Sequence, residues 1–160
     1  MNTVQWFEAE VPNGLTVKQV YGFIFDDHGR ILLFEDQGVF NLPGGKPEKD
    51  ESLFETLTRE VLEEVQTTIG DWKYLGYQKV YGGETFAQVR IVAVVDHFLS
   101  ADKDPSTGRA YLRLLVPPGE VNELLGWGES GETQVASAIA AASKLGHKWD
   151  GTQRSIVEVN

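Results

Sequence analysis

Leu53, Leu57, Val61 and Val65 recur every four residues through "LFETLTREVLEEV", with Phe54 beside them. That spacing draws one apolar stripe along an α-helix, so the segment must lie against something that buries it. Ser52 followed by Glu55 is the pattern of a capping box, and Asp50 and Glu51 suit the positive end of a helix dipole. A helix from about Ser52 to Gln66 is expected. Its neighbours say what it covers. Val17–Phe25 is rich in β-branched and aromatic residues and reads as a strand, and "DDHG" turns it into a second, Arg30–Phe34. A short apolar piece at Phe40–Leu42 runs into a tight loop at Pro43–Gly45.

Beyond the helix, Trp72–Tyr81 and Phe86–Leu99 read as longer strands joined at "GGE", and Tyr111–Val116 as another after the loop Asp102–Gly108. A short helix is expected near Val121–Leu125 and a last one over about Thr133–Leu145, whose alanines suit close packing on a sheet. The polar tail from His147 is expected either to be loose or to pin a second subunit in a homodimer. Strands and helices interleaved this way imply one α/β domain over 1–160, a mixed sheet covered by helices on both faces.

Composition narrows the partners. Lys and Arg number 14 against 24 acids, a formal charge of −10. Polymeric nucleic acid is held mostly by Lys and Arg on phosphates, so a long DNA or RNA partner is not expected. A small anionic ligand fits only where cations shield its charge. Cysteine is absent, which removes disulfides, thiolate zinc and a cysteine nucleophile, and suits a cytoplasmic protein. Apolar runs such as Ile91–Val95 fall far short of the roughly 18–20 residues that span a bilayer. The start "MNTVQWFEAE" is no secretion signal.

The helix also carries Glu60, Glu63 and Glu64, which converge on the side away from the apolar stripe. Such a patch is either an ordinary solvated face or the seat of a hard cation bound by oxygen, magnesium first and manganese second. The preceding loop favours the ion, because Gly44 and Gly45 let backbone come close to a metal or phosphate. Glu51 and Arg59 are eight residues apart and form a bidentate salt bridge if the chain bends at the helix start. Lys46 could touch phosphate, and Tyr81, Phe86, Phe7, Tyr21 or Trp127 could stack on a base, although surface exposure and core packing are the commoner fates of such residues. His28, His97 and His147 form no metal spacing.

Gly45, Glu51, Arg59, Glu60, Val61, Glu63 and Glu64 fall on the pattern G-x5-E-x7-R-E-U-x-E-E-x-G-U, where U is bulky and apolar. In this stretch, 45–67, the chain resembles the Nudix (MutT-like) hydrolases. The resemblance implies an α/β/α sandwich and magnesium-dependent hydrolysis of a diphosphate linkage in a nucleoside diphosphate derivative, of nucleoside triphosphate or nucleotide-sugar type. It implies metal ligation by Glu60, Glu63, Glu64 and the carbonyl of Gly45 or its neighbour Gly44, with Glu51 and Arg59 supporting the site. The general base is Glu60 or a later glutamate, among Glu84, Glu120, Glu123 and Glu129. The alternative is a regulator on the same fold that binds nucleotide without cleaving it.

Two positions depart from the pattern. Gln66 stands where the family has glycine, and Thr67 where it has an apolar residue. Either Gln66 takes a left-handed conformation at some cost, or the helix runs on toward Gly70. The region "YGGET" carries no signature of a substrate subgroup.

Overall fold

The computed structural model describes residues 3–146 and 155–160. Among them the chain order is β1 (Thr3–Phe7), β2 (Val17–Phe25), β3 (Ile31–Asp36), β4 (Val39–Asn41), β5 (Gly44–Gly45), α1 (Leu53–Val65), β6 (Thr67–Tyr81), β7 (Phe86–Phe98), β8 (Leu112–Val116), α2 (Pro118–Leu125), α3 (Gly128–Lys144) and β9 (Val157–Val159). The strands form one mixed sheet in the order β1-β6-β7-β2-β3-β8-β9. β2 and β7 run parallel along their length, and the remaining pairs are antiparallel.

Period-two alternation sorts the strand residues between two cores. Val20, Ile24, Leu32, Val89 and Ile91 face α1, where Leu57, Val61 and Val65 meet them. Phe23, Phe25, Ile31, Leu33 and Val92 face the other way, onto Val121 of α2 and Val135, Ala138 and Ala142 of α3. The result is the expected α/β/α sandwich. Each large apolar side chain buried here contributes roughly 1.5–3 kcal/mol. Gly22 sets how near α1 approaches: a Cβ there would lie 3.0 Å from both Leu57 methyl carbons.

The feature that places the site is a split in the sheet. β2 bonds β3 only at Phe25↔Ile31, near the turn, and further back it takes β5 instead, pairing Val20↔Gly45 and Tyr21↔Gly44. Gly44 has φ +155°, and a Cβ there would collide with the Val20 carbonyl oxygen, so only glycine lets the loop lie this close. The double glycine is thus pinned to the middle of the sheet, facing α1.

The ends of α1 follow the sequence. Ser52 Oγ accepts from Glu55 N (3.1 Å) and Glu55 Oε1 from Ser52 N (3.0 Å), a complete capping box. At the other end Gln66 adopts φ 44°, ψ 49°, and β6 starts at Thr67. The helix does not run on toward Gly70; Gln66 takes the left-handed turn. Its side chain holds the turn by donating to Glu63 O and accepting from Asp102 N, both at 3.1 Å. Buried Arg113 donates from Nη1 to the carbonyls of Val65 (3.0 Å) and Leu99 (2.9 Å), setting a cation at the negative end of the helix dipole.

Several bounds differ from the sequence expectation. β6 begins five residues before Trp72 because the β6–β7 pairing absorbs Gly70 at an irregularity. α3 begins at Gly128 rather than Thr133, and β1 and β9 add edge strands where no alternation signals them. The tail reading at His147 lies outside the described residues; β9, further along, pairs with β8 of the same chain. No described helix is long and apolar enough to cross a membrane.

Candidate active site

Glu51 and Glu64 show two different uses of a carboxylate. Both oxygens of Glu51 are engaged: Oε2 takes Arg59 Nε (2.7 Å), and Oε1 takes Arg59 Nη2 (3.0 Å), Glu48 N (2.8 Å) and Thr56 Oγ1 (2.9 Å). The Arg59 guanidinium, first among these donors, holds the Glu51 carboxyl down at about 2. Arg59 also donates to Lys46 O (3.0 Å), which ties the glycine loop to the helix. This is the bidentate clamp expected from the eight-residue spacing.

Glu60, Glu63 and Glu64 are each held by one oxygen only. Glu60 Oε1 accepts from Arg59 Nη1 (2.9 Å), Glu63 Oε2 from the same nitrogen (3.5 Å), and Glu64 Oε1 from Gly44 N (2.8 Å). Their other oxygens accept no hydrogen bond among the described residues. Gly45 makes room for them, since a Cβ there would sit 2.5 Å from the Glu60 carboxyl carbon. Burial pushes the Glu64 carboxyl up to about 8 against the pull of the Gly44 N–H, with the charges of Glu60, Asp104 and Glu63 adding to the rise. Burial raises Glu60 too, against Arg59. Carboxyls that resist ionisation while keeping a free oxygen fit an oxygen-loving divalent cation. The three are not gathered as tightly as Asp26, Asp27 and His28, a trio in the β2–β3 turn whose ligand atoms all lie within 4.8 Å.

Asp104 is the acid that sequence reasoning missed. It is 4% exposed, in the loop between β7 and β8, and its charge acts on both Glu60 and Glu64. Ser106 N (2.9 Å) and the Tyr111 hydroxyl (3.1 Å) fix its carboxylate. In "DKDPSTG" it looks like any loop aspartate; only the folded loop returns it to α1. The glutamates suggested as a later base lie elsewhere: Glu84 pairs with Lys18 (3.3 Å) at the β6–β7 hairpin, and Glu120, Glu123 and Glu129 sit on α2 and α3.

A cleft of about 380 Å³ opens beside Glu64, lined by Phe34, Asn41, Arg109 and Tyr111 among others. Phe34 and Tyr111 stack at 5.0 Å between centroids. A more apolar cleft of about 480 Å³, bounded by Phe54, Trp72 and Tyr74, lies at the start of α1, away from Glu60, Glu63 and Glu64. Of the aromatics considered for stacking, Tyr21 lies near the carboxylates, close enough for Glu64 and Glu60 to act on its hydroxyl. Phe86 and Tyr81 sit at the hairpin end, under Lys18 and Lys79. Phe86 is four residues along β7 from the level of Tyr21, roughly 13 Å at strand rise. Phe7 stacks on Tyr77 in the α1-side core, and the Lys46 side chain is exposed.

The NUDIX domain profile matches residues 15–136, well over half of the chain. The chain belongs to the Nudix family. Solved structures agree with that membership. The Bacillus subtilis pyrophosphohydrolase BsRppH is 29% identical with a TM-score of 0.57, over 64% of this chain and 65% of that one, a little under two thirds of its length. A NUDIX hydrolase from Nitrosomonas europaea is 21% identical with a TM-score of 0.59, over 88% and 97% of the two chains. A MutT described for Aliivibrio salmonicida and Vibrio cholerae is 19% identical with a TM-score of 0.57, over 78% and 96%. The last two speak for the fold alone. No curated protein sequence matches the chain.

Proposed function

We propose that this Nudix hydrolase cleaves a diphosphate linkage in a small nucleoside diphosphate derivative, of nucleoside triphosphate or nucleotide-sugar type, with magnesium (manganese in second place) held by Glu60, Glu63, Glu64 and the Gly45 carbonyl. The observation that carries the reading is the set of three glutamates, each with one oxygen fixed by the protein and the other free, two of them raised by burial. A bound divalent ion supplies charge neutralisation at phosphate oxygens and acidifies a water.

The protein's own part is positioning. Arg59, clamped by Glu51, orients Glu60 and Glu63, and the Gly44 N–H orients Glu64. In this reading Glu60 is the general base, since the later glutamates lie at the β6–β7 hairpin and on α2 and α3. Asp104 adds negative charge that strengthens the pull on a cation. The cleft beside Glu64 has room for one end of the substrate. A charge of −10 leaves little place for polymeric nucleic acid and makes the metal the bridge to any anionic ligand. The likeness to a pyrophosphohydrolase supports diphosphate cleavage, and retention of every acid of the 45–67 pattern speaks for an enzyme over a regulator.

Incubation with a panel of nucleotides and nucleotide-sugars plus magnesium, with released products followed, tests this reading. Turnover should need the metal and fall about a hundredfold or more in Glu63→Gln and in Glu64→Gln. Turnover unchanged in both variants would sink the metal site. Tight nucleotide binding with no turnover across the panel would favour the regulator.

A further inference from the structure

Among the described residues, Arg90 is a cation with no anion. Its side chain lies on the α3-facing side of β7, 1% exposed, and no carboxylate of the described residues pairs with it. The guanidinium sits between two aromatic rings, Tyr21 at 5.2 Å and Trp127 at 4.8 Å. Nε donates to Gln134 Oε1 (3.0 Å), while Nη1 is buried with no partner among the described residues. A buried charge left partly unpaired is costly, so a fold that keeps one invites a ligand to complete it.

The surrounding amides decide what kind of ligand. Arginine only donates, so Gln134 must turn its oxygen to Arg90 and its nitrogen away. That nitrogen donates to Gln78 Oε1 and to Ser130 Oγ, both at 3.0 Å. Gln78 then donates to Gln88, and Gln88 to Gln19, both at 3.1 Å. The order runs one way across β6, β7 and β2, and it commits the buried Gln134 oxygen to Arg90 Nε. What remains beside the two rings is a donor, Nη1, with no acceptor from Gln134 to match it.

The location suits a substrate whose phosphates lie at α1. Tyr21 pairs with Gly44 on one side and Arg90 on the other, so Arg90 is two strand spacings, about 10 Å, from the glycine loop. Trp127 is only half-buried, in a turn between Gly126 and Gly128, both at positive φ (70° and 66°). It is placed as a cover that a ligand displaces.

We propose that Arg90 is a specificity-determining residue that reads the substrate's nucleobase, Nη1 donating to a ring carbonyl oxygen of a base held against Tyr21 and Trp127. Keto bases are selected and bases offering an amino group at that edge are rejected, because donor would meet donor. The inference rests on the reading that the substrate is a nucleotide.

Binding of nucleoside monophosphates, followed by tryptophan fluorescence in the presence of magnesium, tests it apart from hydrolysis. Inosine and adenosine monophosphates differ at the edge in question, and guanosine monophosphate is the second keto probe. The intact protein should bind inosine and guanosine monophosphates about tenfold more tightly than adenosine monophosphate. Arg90→Gln should bring that ratio near one, Arg90→Lys should keep the keto preference at lower affinity, and Trp127→Phe should lose the fluorescence change. Equal affinity for inosine and adenosine monophosphates in the intact protein, which needs no variant to fold, would overturn the proposal. A preference that survives Arg90→Gln, or a fluorescence change that survives Trp127→Phe, would overturn it too. If magnesium-dependent turnover persists in the face of such a result, the hydrolase reading stands and only the role of Arg90 falls.

Discussion

Glu64 shows how one side chain ties chemistry to stability. Its carboxyl titrates at about 8 in the fold against an ordinary 4.5. Below pH 4.5 both folded and unfolded chains hold the proton, and the group costs nothing. Between 4.5 and 8 the unfolded chain releases its proton while the fold retains it, so stability falls as pH rises, and above 8 the loss levels off. Glu64→Gln carries no such penalty. Thermal melting in a chelator should therefore find the variant several degrees more stable than the parent at pH 8 and close to it at pH 4.5. Glu51 runs the opposite way: held at about 2, it stabilises above pH 4.5, and that stability is lost as pH falls toward 2. Because Glu51 acts on the metal site through Arg59, Glu51→Gln should weaken metal affinity, read by calorimetric titration, about 10–100-fold while leaving the chain folded.

At the scale of elements, α1 and its ends carry the most information. The helix was legible because apolar spacing, capping box and acids all agree over one stretch, and β2 because it is rich in β-branched and aromatic residues. Edge strands were not: β1 has three of its five residues exposed and β9 two of three, so neither shows the alternation of a half-buried strand. The glycine loop and Arg59 clamp could be read because they depend on local spacing. Asp104 and Arg90 could not, since their meaning comes from partners far along the chain, in α1 and in α3. Gln66 is an intermediate case, where sequence posed two outcomes and long-range bonds chose between them. The left-handed turn costs about 1–2 kcal/mol for a non-glycine residue, and two side-chain hydrogen bonds of about 0.5–1.5 kcal/mol each offset it. Urea unfolding should accordingly show Gln66→Ala destabilised by about 1–2 kcal/mol and Gln66→Gly within about 0.5 kcal/mol of the parent.

For the whole molecule, the charge of −10 and the split sheet belong to one account. The split sets the double glycine on the sheet against α1. Three glutamates and Asp104 gather there, and the nearby Arg59 guanidinium is already occupied by Glu51. On the proposed reading, an acidic protein built this way takes an anionic substrate through a bound divalent ion, so metal affinity is the quantity on which everything else depends. Titration of the protein with Mn²⁺ at pH 8, followed by the electron paramagnetic resonance of the free ion, measures it directly. The free-ion signal should be suppressed by the intact protein, with affinity about tenfold or more weaker in Glu63→Gln and Glu64→Gln, and unchanged in Glu84→Gln at the distant hairpin. Binding curves for the two α1 variants that overlay the parent's would contradict the site.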